Sequence, residues 1–262
     1  MIQDFKHILF ILAIAIYIML SSCQTKTDKE SNLSFAKYQY SEKVHLFDND
    51  NYPSFNIDLH VLLPSDSIAF DELYQAMANS YFNASYQAKS SPQKNLENFP
   101  QSFIEEYKGF EKDFIADSSD FGASFNWQMI SKNEILYTND KILSFAVESF
   151  FYSGGAHGNT IKTNYVFDLE NKKIISATEL FKPKSCAAII DLQKKALLKD
   201  KRDIEVIDLE GLHCENNFYL TKEGIYFHYD QYEIASYAEG PIDIFISVEE
   251  IKPHLQRLDL LN

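Results

Sequence analysis

The sequence predicts an α+β fold with mainly antiparallel sheets, helices packed on one face and two sequential subdomains. Segments that alternate apolar and polar residues outnumber those with helical spacing, and tight turns join most of the alternating neighbours. A hydrophobic fraction of 45% is enough to give such sheets a core without a metal or a disulfide.

The first stretch stands apart from that fold. Ile8 to Leu20 is unbroken and apolar, short of the about 20 residues that a hydrocarbon core requires, and it ends in Ser21-Ser22-Cys23. Small residues there leave room for a peptidase, and the cysteine offers a thiol for a diacylglycerol. Residues 1–22 therefore read as a signal peptide resembling that of bacterial lipoproteins, with Cys23 as the lipidation site. Residues 23–36 are mostly polar and are expected to be a flexible tether.

Tyr38 and Tyr40 open a strand toward Phe47, and Phe55, Ile57, Leu59 and Val61 alternate with Asn56, Asp58 and His60 to make its partner. Pro64-Ser65-Asp66 breaks that strand. Phe70, Leu73, Tyr74, Met77 and Tyr81 recur at helical spacing, and Phe99, Phe103, Phe110 and Phe114 form a second stripe; both read as core-facing. Alternation returns at Phe125, Trp127 and Met129, and Lys141 to Tyr152 is a long strand-forming run. Ser153-Gly154-Gly155-Ala156-His157-Gly158 follows, and Ile161, Thr163, Tyr165 and Phe167 alternate out of it, which predicts a hairpin with a glycine-rich tip. A helix from about Ser185 to Lys199 comes next, then a hairpin turning at Lys222-Glu223-Gly224 and a strand over Ile242 to Ile246. Ser247 and Glu250 make a capping box for a short last helix.

Asp and Glu exceed Lys and Arg by 38 to 24, a formal charge of −14. That field repels nucleic acid and steers cationic partners in; it equally serves to keep a tethered protein soluble. Cys186 and Cys214 are an even pair, either a disulfide in an oxidising compartment or two buried thiols.

Little in the sequence carries catalytic chemistry. The 154–158 turn enters a strand and lacks a following Lys-Ser or Lys-Thr pair, so it is no phosphate loop. There is no Gly-x-Ser-x-Gly elbow, and His45, His60, His157, His213 and His228 are scattered without the spacing of a metal site. No catalytic residue, metal or cofactor is expected. His157 reads as a turn or contact residue, and Tyr229 to Gly240 offers tyrosine rings interleaved with carboxylates, either as an interface or as a packed loop.

Those two segments also carry a family likeness. Tyr152 to Gly158, Asn164 to Leu169, Glu179-Leu180-Phe181, Phe218 to Thr221 and Tyr232 to Gly240 resemble the RsiV-like C-terminal domain of unknown function, over about 146–256. Ser236 stands where that family commonly has proline. Residues 37–145 resemble the N-terminal module that accompanies it in RsiV-type and PdaC-type proteins. The resemblance implies an extracytoplasmic module whose best-understood branch senses lysozyme for an anti-sigma factor.

Together these readings lead to one expectation: a lipid-anchored, non-catalytic binding module on an outer-membrane leaflet, recognising a cationic protein such as lysozyme or a cell-wall component. Its membrane contact is through the N-terminal lipid only. The candidate surface is Gly154, Gly155, His157, Tyr232, Tyr237 and Glu239. Two rival expectations are a cell-wall glycan hydrolase using His157 and a structural partner in an envelope complex.

Overall fold

The computed structural model describes residues 33–116, 125–199, 208–215 and 217–261. Cys23, the segment 1–22 expected to be a signal peptide and most of the expected tether lie outside the described residues. The alternating segments form β1 (Phe35–His45) and β2 (Ser54–Pro64), paired antiparallel. Phe35 and Ala36, expected in the tether, belong to β1, where they register with Pro64 and Leu63. An apolar Phe35 completes the ladder more favourably than it dangles in water.

β3 (Trp127–Thr138) lies parallel to β2, from Phe55 opposite Trp127 to His60 opposite Lys132. A parallel pair needs a long crossover. It is supplied by α1 (Asp71–Phe82), α2 (Pro92–Asn98), α3 (Gln101–Gly109) and α4 (Glu111–Ala116). The second aromatic stripe is thus spread over short helices, because Pro100 cannot continue a helical ladder and Gly109 is a poor helix former. β4 (Ile142–Tyr152), β5 (Asn159–Asp168) and β6 (Lys173–Ile174) follow antiparallel, giving a six-stranded sheet in sequence order.

Helices cover one face of this sheet. Phe55, Ile57, Leu59, Val61 and Leu63 are buried on the covered side of β2, while the alternate Asn56 is exposed. Tyr81 of α1 reaches β3, its hydroxyl donating to the carbonyl of Ser131 at 2.9 Å. Tyr107 of α3 sits 5.6 Å from Phe55 and 5.3 Å from Trp127, centroid to centroid. Where the parallel ladder ends, buried Asn133 extends it: Oδ1 accepts from Leu62 N at 2.6 Å, and Nδ2 donates to Leu62 O at 2.9 Å.

The opposite face meets a second, three-stranded antiparallel sheet of β7 (Phe218–Leu220), β8 (Gly224–Tyr229) and β9 (Ile242–Ser247). Two helices join it: α5 (Ala177–Leu180), held by a capping box of Ser176 and Glu179, and α6 (Cys186–Lys199), which packs against β9. Ser247 caps α7 (Val248–Ile251) by accepting from Glu250 N at 3.4 Å, and Glu250 answers through the Ser247 hydroxyl at 3.0 Å where the expected capping box would use the Ser247 N–H; this single turn continues as a 3₁₀ segment to His254. Ile142 and Val166 of the large sheet share one core with Ile225, Phe227, Ile244 and Ile246. Ser144 Oγ binds the backbone of Leu220 twice, at 2.8 and 3.2 Å.

Ile142 to Val147 of β4 are all buried, successive side chains pointing to opposite layers. The boundary expected at 145/146 therefore falls inside the strand that both layers share. From Ser34 onward the chain is one compact unit. No helix among the described residues is long and apolar enough to cross a membrane.

Candidate functional site

The tip between β4 and β5 uses its glycines in two ways. Gly154 and Gly155 have φ of 98° and 93°, a region that side-chain-bearing residues avoid. Gly158 instead allows close approach: a Cβ there would collide with the Phe150 ring. Tyr152 braces the tip by donating its hydroxyl to Gly155 O at 2.9 Å. His157 is left exposed at the end.

The tyrosine loop joins β8 to β9. Buried Ile234 and Ala235 anchor it, Asp230 N donates to Glu233 Oε2 at 2.7 Å, and Tyr237–Glu239 form a 3₁₀ turn closed by Gly240 at φ 72°. Ser236 sits at φ −65°, the angle that a proline ring would impose. Tyr232 has φ 70° and is 60% exposed.

Tip and loop meet. The His157 ring stacks on Tyr237 with centroids 3.8 Å apart and planes inclined by 19°. Tyr237 donates its hydroxyl to Gly158 O at 3.1 Å, and Tyr232 Oη is 3.1 Å from His157 Nε2. His157 Nδ1 lies 3.2 Å from Gly158 O, a contact that requires a proton on Nδ1. Nε2 then accepts from Tyr232. In the neutral imidazole both ring nitrogens are thereby hydrogen-bonded, Nδ1 to the Gly158 carbonyl and Nε2 to the Tyr232 hydroxyl. Glu239 lies exposed in the same 3₁₀ turn, without a hydrogen bond from its side chain to this cluster among the described residues.

A second cluster went unread in the sequence. His228 on β8 is 2% exposed, with Nδ1 2.8 Å from Asp243 Oδ1 and Nε2 3.1 Å from Asp230 Oδ1. Asp230 Oδ1 also accepts the backbone N–H of Lys162 on β5 at 3.0 Å. Burial opposes a charge on His228, but the two carboxylates outweigh it and push the imidazolium up to about 9. This is a charged clamp between the base of the tyrosine loop and β5. The i, i+2 spacing of His228 and Asp230 was the available signal.

Cys186, at the start of α6, is joined to Cys214 with Cα atoms 5.5 Å apart. Beside the bridge, buried Gln193 and Tyr229 hold His213: Tyr229 Oη donates to Gln193 Oε1 at 2.6 Å and accepts from His213 N at 3.0 Å. Among the described residues no three His, Cys, Asp or Glu side chains converge as a metal-ligand set.

Two stretches of the chain match family models. Residues 69–160 match the family described as deacetylase PdaC, and residues 178–249 match a family described as protein of unknown function, DUF3298. The chain carries a PdaC-type domain followed by a DUF3298-type domain. Its fold is similar to the crystal structure of a DUF3298 family member from Bacteroides fragilis, with a TM-score of 0.78 and 25% identity over 88% of this chain and 96% of that one. A DUF3298 family protein from Pseudomonas aeruginosa aligns at a TM-score of 0.60 and 16% identity, over 86% of this chain and 95% of the other. No curated protein matches the sequence. His157 falls in the PdaC-type stretch, and Tyr232 and Tyr237 in the DUF3298-type one, so the cluster is built from both.

Proposed function

We propose that this chain is a non-catalytic binding module of the bacterial cell envelope, held there by lipid on Cys23, that takes a cationic protein or a cell-wall component on the surface of His157, Tyr232 and Tyr237. One observation carries the reading. Tyr232 is exposed, aromatic and held in the left-handed region, where such a side chain costs about 1–2 kcal/mol. The ring stands outside the core, its contacts are with His157 and Tyr237 of the same surface, and strained positions of this kind cluster where ligands bind. The charge of −14 favours a cationic partner, and the RsiV-like resemblance favours lysozyme among such partners.

The test is binding of the soluble chain from Gln24 onward to immobilised lysozyme, with Tyr232→Asn as the variant. Asparagine tolerates positive φ, so the variant should keep its thermal midpoint while binding falls about tenfold or more. Binding should also weaken as added salt shortens the Debye length from about 10 Å toward 3 Å. Equal affinity of variant and wild type would reject this surface, and salt-independent binding would reject the cationic partner.

A further inference from the structure

Asn164 on β5 is 6% exposed, and its amide can point only one way. Asn217 Nδ2 donates to Lys162 O at 2.8 Å, which makes Asn217 Oδ1 the acceptor of that pair. Asn217 Oδ1 takes both the backbone N–H of Asn164 at 2.9 Å and its Nδ2 at 2.8 Å. Asn164 Oδ1 is left as a buried acceptor without a hydrogen-bond partner among the described residues. Such orphans are rare and call for an explanation.

Asn164 lines a groove of 480 Å³ between β5 and the segments that carry Glu215 and Glu233. Those two carboxylates and Asp230 line it too, and none of its described lining residues is Lys or Arg. Val166, Ile175 and Phe218 give the remaining wall an apolar character. An unfilled carbonyl acceptor beside carboxylates selects a donor that bears positive charge. Apolar wall suits the methylene stem of a long basic side chain, whose head reaches the carboxylates while its stem stays dry.

We propose that this groove binds the guanidinium or ammonium of a basic side chain presented by a polypeptide, with Asn164 Oδ1 as the neutral acceptor and Glu215 and Glu233 as the charged ones. The proposal rests on the binding-module reading and assigns it a second, chemically defined pocket apart from the His157 cluster.

The experiment follows amide resonances of the soluble chain from Gln24 during titration with an acetylated arginine tripeptide, its citrulline isostere, and free spermidine. The arginine peptide should shift the Asn164 side-chain amide and bind about tenfold or more tightly than the citrulline peptide. The double variant Glu215→Gln, Glu233→Gln should lose about tenfold in affinity. Both residues are exposed, and the amide oxygen introduced by Glu233→Gln can still accept from Asp230 N, so the fold should be kept. Arginine-peptide shifts confined to His157, Tyr232 and Tyr237 would overturn the groove while leaving the binding surface standing. An unmoved Asn164 amide would do the same. Spermidine binding as well as the peptide, and competing with it, would overturn the polypeptide as source. Shifts at Asn164 in a protein that ignores lysozyme would support the groove and reject the lysozyme reading.

Discussion

His228 and Asp243 face each other across β8 and β9, Nδ1 to Oδ1 at 2.8 Å, and the same imidazole reaches Asp230 on its other side. A buried imidazolium between two carboxylates is a link whose strength depends on its proton. The folded protein holds that proton up to about pH 9, whereas an unfolded histidine loses it near 6.5. The clamp therefore stabilises fully below about pH 6.5, and its contribution fades as pH rises through 9.

Denaturant unfolding of wild type and His228→Gln between pH 6 and pH 10 should show this directly. At pH 6 the variant should be less stable by about 2 kcal/mol, a figure reduced for screening at the partly exposed Asp243. By pH 10 the gap should shrink. A gap that stays constant would mean that the histidine acts through packing rather than charge.

Asn133→Ala should cost about 2–4 kcal/mol, because it strands both backbone groups of Leu62 where the parallel β2–β3 ladder has run out. Hydrogen exchange should quicken at Leu62 specifically. Stability within about 0.5 kcal/mol of wild type, the scatter of ordinary surface changes, would show that water replaces the amide there.

Removing the bridge with Cys186→Ser and Cys214→Ser should lower stability by about 3 kcal/mol, since a loop of 28 residues is released in the unfolded chain. Calorimetry with and without reductant gives the comparison. Wild type in reductant should match the double variant. A double variant as stable as the oxidised protein would leave Gln193, Tyr229 and the core to hold α6 alone.

Cys23→Ala should move the full-length precursor from the detergent phase to the aqueous phase on partitioning. Unchanged partitioning would remove the lipid anchor from the proposed function.

Strand positions were legible because burial on one face of a sheet writes a period of two into the chain, as at Phe55, Ile57, Leu59 and Val61. Breaks in the Phe99 to Phe114 stripe are also written there, in Pro100 and Gly109, against an apolar periodicity that runs on across them. The polar ties were not legible. Asn133 meets Leu62, and Asn217 meets Lys162 and Asn164, through pairs more than 50 positions apart, and no local pattern encodes such partners. The same holds for the candidate site. Its two segments stood out singly, by glycine density and by tyrosines, while the contact of Tyr232 with His157 spans 75 positions and exists only once both sheets are in place.

Burial of β4 on both faces bears on how the chain could have been assembled and how it can be dissected. Each layer supplies the roof that keeps water off the other side of Ile142 to Val147. A PdaC-type piece ending at residue 160 would leave Ile142, Ser144 and Ala146 facing solvent, and a DUF3298-type piece beginning at 178 would lack Ile142 and Val166 from its core. The two stretches match separate family models yet lie in one compact unit. Neither half should be expressed alone as a stand-in for the whole.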